Sequence, residues 1–320
     1  MDDATNIPSL SDIRAAAERI KLHAIRTPLL TGRGRLDEIV GAQLFFKCEN
    51  MQRVGAFKFR GAMNAVLSLS SEELRKGVAT HSSGNHAAAV ALAAQIAGTH
   101  ATVVMPEGSS AVKIEAVGSY GADVRFCANT QQAREAALAQ VVRETGAHFI
   151  HPYDDWRVIC GQGTAALELL ADTPHLDMLL TPVGGGGLLS GSAIATKALS
   201  PTTRIIAAEP SGADDAFLSL QSGRIVPSID PKTIADGLRT SLGVRNFAVI
   251  QECVDGIVTV SEAAIVAAMR LLWSRLKMVV EPSAAVPLAA LLEHKLSVQG
   301  LRIGIILSGG NIDLDALPWR

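Results

Sequence analysis

The chain has few aromatic side chains and little excess charge. Phe, Trp and Tyr make up only 4% of the 320 residues, so aliphatic side chains must supply most of a hydrophobic content of 48%. Such a core is typical of strands that helices cover on both faces. The formal net charge is −2 and no basic block occurs, which argues against a nucleic-acid or membrane-surface partner.

Cysteine and long apolar runs are also scarce. The four cysteines have no CxxC spacing, which predicts free thiols in a reducing compartment. The N-terminus lacks the apolar core of a signal peptide, and the longest apolar run, Ala87 to Ala94, is too short to cross a membrane. The eight histidines show no metal-ligand spacing. We therefore expect a cytoplasmic protein without a membrane span.

Strand-like runs alternate with helical patterns along the chain. Predicted strands such as Leu44 to Phe46, Thr102 to Met105 and Met178 to Val183 are separated by helical segments. This alternation predicts an α/β protein with a mostly parallel sheet wrapped by helices, and the length is sufficient for two lobes. Ligands of such sheets bind beyond the carboxyl ends of the strands, where glycine-rich turns recur in this sequence.

The segment from Gly55 to Ala62 is the most informative one, because Lys58 lies in it between Phe57 and Phe59. An apolar pocket disfavours the ammonium form and so lowers the pKa of a lysine. An amine of this kind is a nucleophile that forms Schiff bases with aldehydes. The alternative is a surface lysine in an amphipathic turn, which the other motifs argue against.

A run of glycines joins a predicted strand to a predicted helix. The strand Thr181-Pro182-Val183 leads into Gly184, Gly185, Gly186, Gly187 and then Leu188. Several backbone N–H groups at such a turn, together with the positive potential of a helix N-terminus, predict a phosphate site. A flexible linker is the alternative, but an apolar strand and a helix flank the run closely.

Two further turns carry polar side chains at strand ends. Thr80 to His86 precedes a helix, and its hydroxyl, amide and backbone N–H groups suit a carboxylate. An ordinary N-cap is the alternative interpretation. Ser308 ends the last predicted strand, where its hydroxyl is suited to a ring nitrogen, although a simple C-terminal turn explains it equally well.

Two motifs have less certain meaning. The acidic segment Glu209 to Asp215 supplies carboxylates that suit a hard cation, or else forms a solvated loop in which an aspartate caps a helix. Gly161 to Ala166 matches the dinucleotide pattern G-x-G-x-x-A, but Asp154 to Arg157 precedes it in place of a buried strand. A nicotinamide oxidoreductase is therefore only a remote alternative.

Taken in order, the motifs resemble the fold-type II pyridoxal-phosphate enzymes of the serine/threonine dehydratase and serine racemase family. The resemblance covers nearly the whole chain and rests on Gly55–Ala62, Ser82–His86, Gly161–Thr164, Gly184–Leu188, Glu281–Ser283 and Ser308–Asn311. It implies a fold similar to the tryptophan synthase β subunit. A large cofactor-binding domain would comprise residues 1–76 and 151–320, and a small domain of residues 77–150 would close on the substrate. The four glycines favour the dehydratase branch.

The resemblance also implies roles for single residues. Lys58 would bind pyridoxal phosphate as a Schiff base and act as the catalytic base, with Ser83 as the acid/base on the opposite face. The implied cofactor contacts are Phe57, Lys58, Asn85, Gly184, Gly185, Gly186, Gly187, Leu188, Glu281 and Ser308. The implied substrate contacts are Ser82, Ser83, Asn85, His86 and Arg134. Glu209, the carbonyl of Ala213 and Asp215 match a site for Mg²⁺, Mn²⁺ or Ca²⁺.

The substrate is expected to be a β-hydroxy amino acid. Many family members have serine at the position of Ala56, and an alanine there resembles a subset that includes 3-hydroxyaspartate dehydratases. Arg134 suits a second substrate carboxylate. We expect α,β-elimination of 3-hydroxyaspartate to oxaloacetate and ammonia by a homodimer. The alternatives are an L-serine/L-threonine dehydratase, a serine racemase or, more remotely, a non-catalytic protein that binds a phosphate ligand.

Overall fold

A computed structural model describes residues 6–109, 111–173 and 175–319. Within these ranges the strands are β1 (Leu29–Thr31), β2 (Gln43–Lys47), β3 (Val78–His81), β4 (Ala101–Pro106), β5 (Asp123–Cys127), β6 (His148–Phe149), β7 (Met178–Pro182), β8 (Arg204–Pro210), β9 (Gly256–Val260) and β10 (Arg302–Ile306). The helices are α1 (Leu10–Ile20), α2 (Arg35–Val40), α3 (Lys58–Leu67), α4 (Ser71–Lys76), α5 (Asn85–Ala97), α6 (Ala111–Ser119), α7 (Gln131–Thr145), α8 (Trp156–Asp172), α9 (Gly187–Leu199), α10 (Asp215–Ser222), α11 (Val244–Cys253), α12 (Glu262–Leu271) and α13 (Pro282–Leu292). The predicted alternation of strand and helix is confirmed.

The larger sheet has the order β1-β2-β10-β7-β8-β9. All of its described pairings are parallel except that of β1 with β2, which is antiparallel. Every residue of β7 is buried, as expected for a central strand with helices on both faces. The carboxyl ends of β7 and β10 therefore open at one edge of this sheet, where Gly184 and Ser308 follow.

The smaller sheet has the order β5-β4-β3-β6, and all of its described pairings are parallel. Its strands lie between Val78 and Phe149, and its carboxyl ends carry His81 and Pro106. That the segment 77–150 moves as a separate domain stays a prediction.

Helix α8 explains the sequence that matches the dinucleotide pattern. Gly161 and Gly163 lie inside this helix and not at a strand-to-helix turn. A Cβ on Gly161 would lie 2.6 Å from the carbonyl oxygen of Arg60, and one on Gly163 would lie 2.6 Å from that of Gly191. The glycines thus permit close packing of α8 against α3 and α9, and the nicotinamide alternative is rejected.

A buried cluster of charges fixes the start of α3. The Arg60 side chain is fully buried and forms ion pairs with Glu49 at 2.7 Å and Glu168 at 2.8 Å, while Lys47 pairs with Glu168 at 2.6 Å. Two cations thus compensate two carboxylates. Removing one partner of such a set is strongly destabilising, because a charge is then left unpaired. The cluster holds Arg60 two residues from Lys58.

Two expectations on composition can be compared with the structure. All four cysteines are free thiols, as predicted, and three of them are buried. Among the described residues, no helix combines the length and the apolar character that a membrane span requires.

Candidate active site

One cavity of about 500 Å³ lies beyond the carboxyl ends of strands from both sheets. It brings together every residue predicted for the cofactor or the substrate, namely Phe57, Lys58, Ser82, Ser83, Asn85, His86, Arg134, Gly184, Gly185, Gly186, Gly187, Leu188, Glu281 and Ser308. These residues come from segments that are far apart in the sequence. The three predicted cation ligands do not line this cavity.

Lys58 is the first residue of α3, and its amine is buried in the cavity wall. Nζ donates a hydrogen bond of 2.8 Å to the carbonyl oxygen of Pro152 and lies 5.1 Å from the centre of the Phe57 ring. Burial lowers the pKa of Lys58 to about 8, although the charge of Glu281 opposes the shift. Phe59 does not line the cavity as the sequence suggested, because it is fully buried in the core next to α3. The amine is nevertheless desolvated, as predicted.

The glycine turn offers a set of free donors. Among the residues that the structure describes, no oxygen accepts from the amide N–H groups of residues 184–188, which join β7 to the first turn of α9. Gly186 has a φ of 97°, a conformation that favours glycine. A Cβ on Gly184 would lie 2.9 Å from the Cα of Leu238, and one on Gly185 would lie 2.3 Å from the ring of Tyr153. The turn is therefore closely packed rather than a flexible linker, and its free donors are suited to an anion.

His86 is held as a neutral side chain. Its Nε2 lies 3.1 Å from the carbonyl oxygen of Ile150, which can only accept, so Nε2 carries the proton. Burial keeps the pKa of His86 well below its usual range, and Nδ1 is buried with no hydrogen-bond partner in the described part of the chain. The ring thus has no second N–H to give to a carboxylate. The donors of this segment are the serine hydroxyls and the backbone N–H groups at the start of α5.

Asn85 connects two other segments of the cavity wall. Its Nδ2 lies 3.1 Å from both carboxylate oxygens of Glu281, and its Oδ1 accepts from Asn311 Nδ2 at 2.9 Å. Glu281 is fully buried, and burial raises its pKa to about 7, although the Asn85 hydrogen bonds lower it. Asn311 belongs to the motif Ser308–Asn311, but no local pattern in the sequence indicates its bond to Asn85.

Arg134 lies on α7 and is half-buried at the cavity wall. Its Nε donates to Thr130 at 3.4 Å, and within the described ranges no carboxylate pairs with its guanidinium. It lies close enough to His81 to add to the effect of burial in lowering the pKa of that imidazole. Lys113, another cation of the cavity wall, is paired with Asp236 at 2.9 Å.

Other residues of the cavity were missed. Pro152 and Tyr153 follow β6, so the rule that ligands bind beyond strand ends could have identified them. Arg239 also lines the cavity, but it lies in a loop without a sequence signal.

The predicted cation ligands lie around a separate, smaller cavity. Ala213 and Asp215 line it, whereas the carboxylate of Glu209 accepts from the backbone N–H groups of Phe217 at 2.5 Å and Ala216 at 3.3 Å. Burial raises the pKa of Glu209 to about 9 and that of Asp215 to about 6. Asp215 Oδ2 is buried and has no hydrogen-bond partner among the described residues. The loop is thus not the solvated cap that the alternative interpretation required.

This acidic site offers few protein ligands to a cation. Among the described residues, no group of three or more His, Cys, Asp or Glu side chains is arranged to hold a metal. A cation here would have two carboxylates and a backbone carbonyl as protein ligands. The unpartnered Asp215 oxygen and the two raised pKa values fit a missing positive charge.

Comparison with known proteins gives a consistent result. Residues 20–309 match the family model described as pyridoxal-phosphate dependent enzyme. A protein of Paracoccus denitrificans named beta-hydroxyaspartate dehydratase is 49% identical over 314 residues, which cover 98% of this chain and 99% of that protein. A protein of Saccharomyces cerevisiae named L-threo-3-hydroxyaspartate ammonia-lyase is 49% identical, with 96% of this chain and 94% of that protein covered.

A solved structure shows that the similarity extends to the fold. The crystal structure of serine racemase from Dictyostelium discoideum superimposes with a TM-score of 0.91 at 47% identity. The match covers 96% of this chain and 99% of that one. The likeness in fold thus extends over both sheets.

Proposed function

We propose, since the chain belongs to the family of pyridoxal-phosphate dependent enzymes, that it converts 3-hydroxyaspartate to oxaloacetate and ammonia by α,β-elimination. Two of the relatives are named for reactions of hydroxyaspartate. The observation that carries the choice of substrate is Arg134, a guanidinium without an acidic partner within the described ranges, in the same cavity as Lys58.

The cavity fits the phosphate and the aldehyde of the cofactor. The unpaired N–H groups of residues 184–188 match a phosphate, and the buried amine of Lys58 matches the aldehyde. When bound, pyridoxal phosphate supplies an electron-withdrawing conjugated system that stabilises negative charge on the substrate α-carbon. Phe57 and Ser308 are the proposed contacts of its ring and ring nitrogen, because both line the same cavity.

Lys58 is the proposed base that removes the α-proton. With a pKa of about 8, a substantial fraction of its amine is neutral near pH 7.5 and able to accept a proton at Nζ. The Pro152 carbonyl accepts a hydrogen bond from Nζ in either protonation state and so orients the amine. Loss of the α-proton and of the β-hydroxyl group leaves an enamine, which becomes an imine after release. Hydrolysis of that imine gives the keto acid and ammonia.

The substrate carboxylates are proposed to bind at two places. Ser82, Ser83 and the backbone N–H groups of Asn85 and His86 lie at the N-terminus of α5 and suit the α-carboxylate. Arg134 suits the β-carboxylate, because a planar guanidinium binds a carboxylate through two hydrogen bonds. A buried β-carboxylate without such a partner would be strongly disfavoured.

A serine racemase is the second candidate. Ser83 lies in the cavity with Lys58 and supplies a hydroxyl group suited to return a proton to the α-carbon. The Dictyostelium protein of the same fold is named serine racemase. Racemisation requires a base on one face of the α-carbon and an acid on the other, whereas elimination requires a base for the α-proton and a proton for the departing hydroxyl group.

Further properties follow from the same resemblance. We propose that Glu209, the Ala213 carbonyl and Asp215 hold Mg²⁺, Mn²⁺ or Ca²⁺, supported by the unpartnered Asp215 oxygen. We also propose a cytoplasmic homodimer in which residues 77–150 close over the substrate. The free cysteines are consistent with a reducing compartment.

A comparison of substrates tests the proposed function. The purified, cofactor-loaded protein would be incubated with each 3-hydroxyaspartate stereoisomer, L-serine and L-threonine, and ammonia, keto acids and D-serine would be measured. We expect the largest kcat/KM with one 3-hydroxyaspartate stereoisomer and oxaloacetate as its product. Formation of D-serine faster than ammonia release from any substrate would instead support the second candidate.

A further inference from the structure

Three side chains from separate segments form a continuous hydrogen-bonded chain in the cavity wall. Asn311 follows β10, Asn85 begins α5 and Glu281 precedes α13. Asn311 Nδ2 donates to the carbonyl oxygen of Val54 at 2.6 Å and to Asn85 Oδ1 at 2.9 Å. Asn85 Nδ2 in turn lies 3.1 Å from each carboxylate oxygen of Glu281.

The chain fixes the orientation of the Asn85 amide from both ends. The Val54 carbonyl can only accept, so the NH₂ group of Asn311 must face it and Asn85 Oδ1. A Glu281 carboxylate can also only accept, so the NH₂ group of Asn85 must face Glu281. If the Asn85 amide were flipped, its oxygen would face the Glu281 carboxylate and its NH₂ group would face the NH₂ group of Asn311.

One N–H of Asn85 stays available. The two Glu281 oxygens are bonded to one carbon and lie close together, whereas the two N–H bonds of a planar amide diverge widely. A single N–H of Asn85 is therefore shared between both oxygens, at 3.1 Å from each. The other N–H is left for a ligand in the cavity, which Asn85 lines.

The position of Glu281 is itself closely defined by packing. A Cβ on Gly309 would lie 2.5 Å from Glu281 Oε1, so only glycine permits this approach. The charged groups that influence Glu281 are Asp236 and Lys113, which pair with each other at 2.9 Å, and Lys58. Asn85 is thus the side-chain donor to a buried carboxylate, and the backbone N–H of Asn311 is a further donor to it.

We propose that Glu281 is a positioning residue that acts on the cofactor through Asn85, by holding the Asn85 amide with one N–H directed to the cofactor. Asn311 has the same role at the other end of the amide. Glu281 itself makes no contact with the cofactor in this proposal, unlike the direct role that the sequence suggested. The proposed role rests on the proposed binding of pyridoxal phosphate in this cavity.

A double-mutant cycle separates action through Asn85 from direct action. Cofactor-free wild type, Glu281→Gln, Asn85→Ala and the double variant would be titrated with pyridoxal phosphate, and the visible band would give its Kd and absorption maximum. Each single substitution is expected to raise Kd about tenfold, as for one lost hydrogen bond. The double variant is expected to match Asn85→Ala, because Glu281 then has no amide to orient. If the Kd of the double variant rises instead by the product of the two single effects, the proposal is overturned.

Two further variants complete the test. Asn311→Ala carries no change of charge, and we expect it to shift the absorption maximum in the same direction as Glu281→Gln. Asn50→Ala is the matched control, because Asn50 donates to Val279 and is not part of the chain. If Glu281→Gln does not fold by circular dichroism, the cycle is run with Asn311→Ala in its place.

The outcomes distinguish this proposal from the proposed function. A wild type that gives no saturable visible band contradicts cofactor binding itself. A wild type that gives the band, with unchanged Kd and absorption maximum in Glu281→Gln and Asn311→Ala, contradicts only the positioning role.

Discussion

Lys58 Nζ donates a hydrogen bond of 2.8 Å to the carbonyl oxygen of Pro152, which lies 94 residues further along the chain. The contact joins the start of α3, which packs against α5 and α8, to the loop that follows β6 of the smaller sheet. A carbonyl oxygen gives no negative charge to offset desolvation, so the amine keeps a lowered pKa while its direction is fixed.

The reaction of cofactor-free protein with pyridoxal phosphate is expected to follow the protonation state of Lys58. Only the neutral amine attacks an aldehyde, and burial lowers the Lys58 pKa to about 8. The rate constant for cofactor capture should therefore rise roughly tenfold per pH unit below pH 8 and level off above it. Stopped-flow absorbance measures this rate, and a rise that continues to pH 10 would show an ordinary exposed lysine.

Glu281→Gln provides a control for this pH dependence. The charge of Glu281 stabilises the Lys58 ammonium and so raises the lysine pKa against the effect of burial. Removal of that charge should move the midpoint of the capture rate to lower pH. An unchanged midpoint would mean that the two groups do not interact.

Lys58→Ala is expected to abolish elimination without unfolding the protein. The substitution removes both the attachment point of the cofactor and the base, so kcat should fall by at least ~10³-fold. Lys76→Ala is the matched control, since Lys76 forms only an exposed ion pair with Glu72. Near-normal turnover in Lys58→Ala would disprove the assigned role, and circular dichroism checks the fold.

The acidic site is expected to depend on cation and pH together. Burial raises the pKa of Glu209 to about 9, so the folded state holds a proton that the unfolded chain loses near pH 4.5. In chelator, the stability contributed by this proton is present below pH 4.5 and is lost as the pH rises towards 9. Added Mg²⁺, Mn²⁺ or Ca²⁺ should raise the Tm, and more at pH 8 than at pH 6, because protons compete with the cation.

Neighbouring aspartates give a matched pair for this test. Asp215→Asn should remove the response of Tm to the cation, because Asp215 Oδ2 is the buried oxygen without a partner. Asp214→Asn should weaken the response without removing it, since Asp214 lines the same cavity and its charge raises the pKa values of Glu209 and Asp215 but it is not a proposed ligand. If neither exhaustive chelation nor added cation changes the Tm of the wild type, the acidic segment does not bind a cation and the proposed site is wrong.

Arg134→Ala is expected to change the choice of substrate. The fall in kcat/KM for 3-hydroxyaspartate should correspond to a loss of roughly 2–5 kcal/mol in transition-state stabilisation, as when one partner of a buried charge pair is removed. Activity on serine, which has no second carboxylate, should change far less. Arg143→Ala on the same helix is the control, because Arg143 is exposed in the last turn of α7.

The ratio of the two kcat/KM values is the quantity to compare. An equal loss for both substrates would place Arg134 away from the β-carboxylate. Arg134→Lys should restore the ratio only in part, because an ammonium group lacks the planar pair of donors.

The fold was largely predictable because its signals are local. Ser9 and Asp12 have the S-x-x-D spacing of a capping box at the start of α1, and Asp12 Oδ2 accepts from the Ser9 backbone N–H at 2.8 Å. The alternation of buried strands and helices gave the parallel sheets. Strand β1 was missed, because three residues that pair with β2 give too short a pattern to recognise.

The site was predictable only in part. Strand-end turns identified the residues that line the cavity, because the carboxyl ends of parallel strands meet at one edge. The partners of those residues could not be found, since Pro152 for Lys58 and Glu281 for Asn85 lie 94 and 196 residues away. Phe59 was misplaced for a related reason, because neighbours in sequence on a helix point in different directions.

Reduction of the loaded enzyme with borohydride, followed by peptide mass spectrometry, tests the central claim most directly. The treatment makes the bond between an amine and the cofactor permanent. We predict loss of the visible band and a phosphopyridoxyl group on Lys58 alone. Modification of another lysine in place of Lys58, or no modified peptide from a protein saturated with pyridoxal phosphate, would contradict the assignment of this cavity.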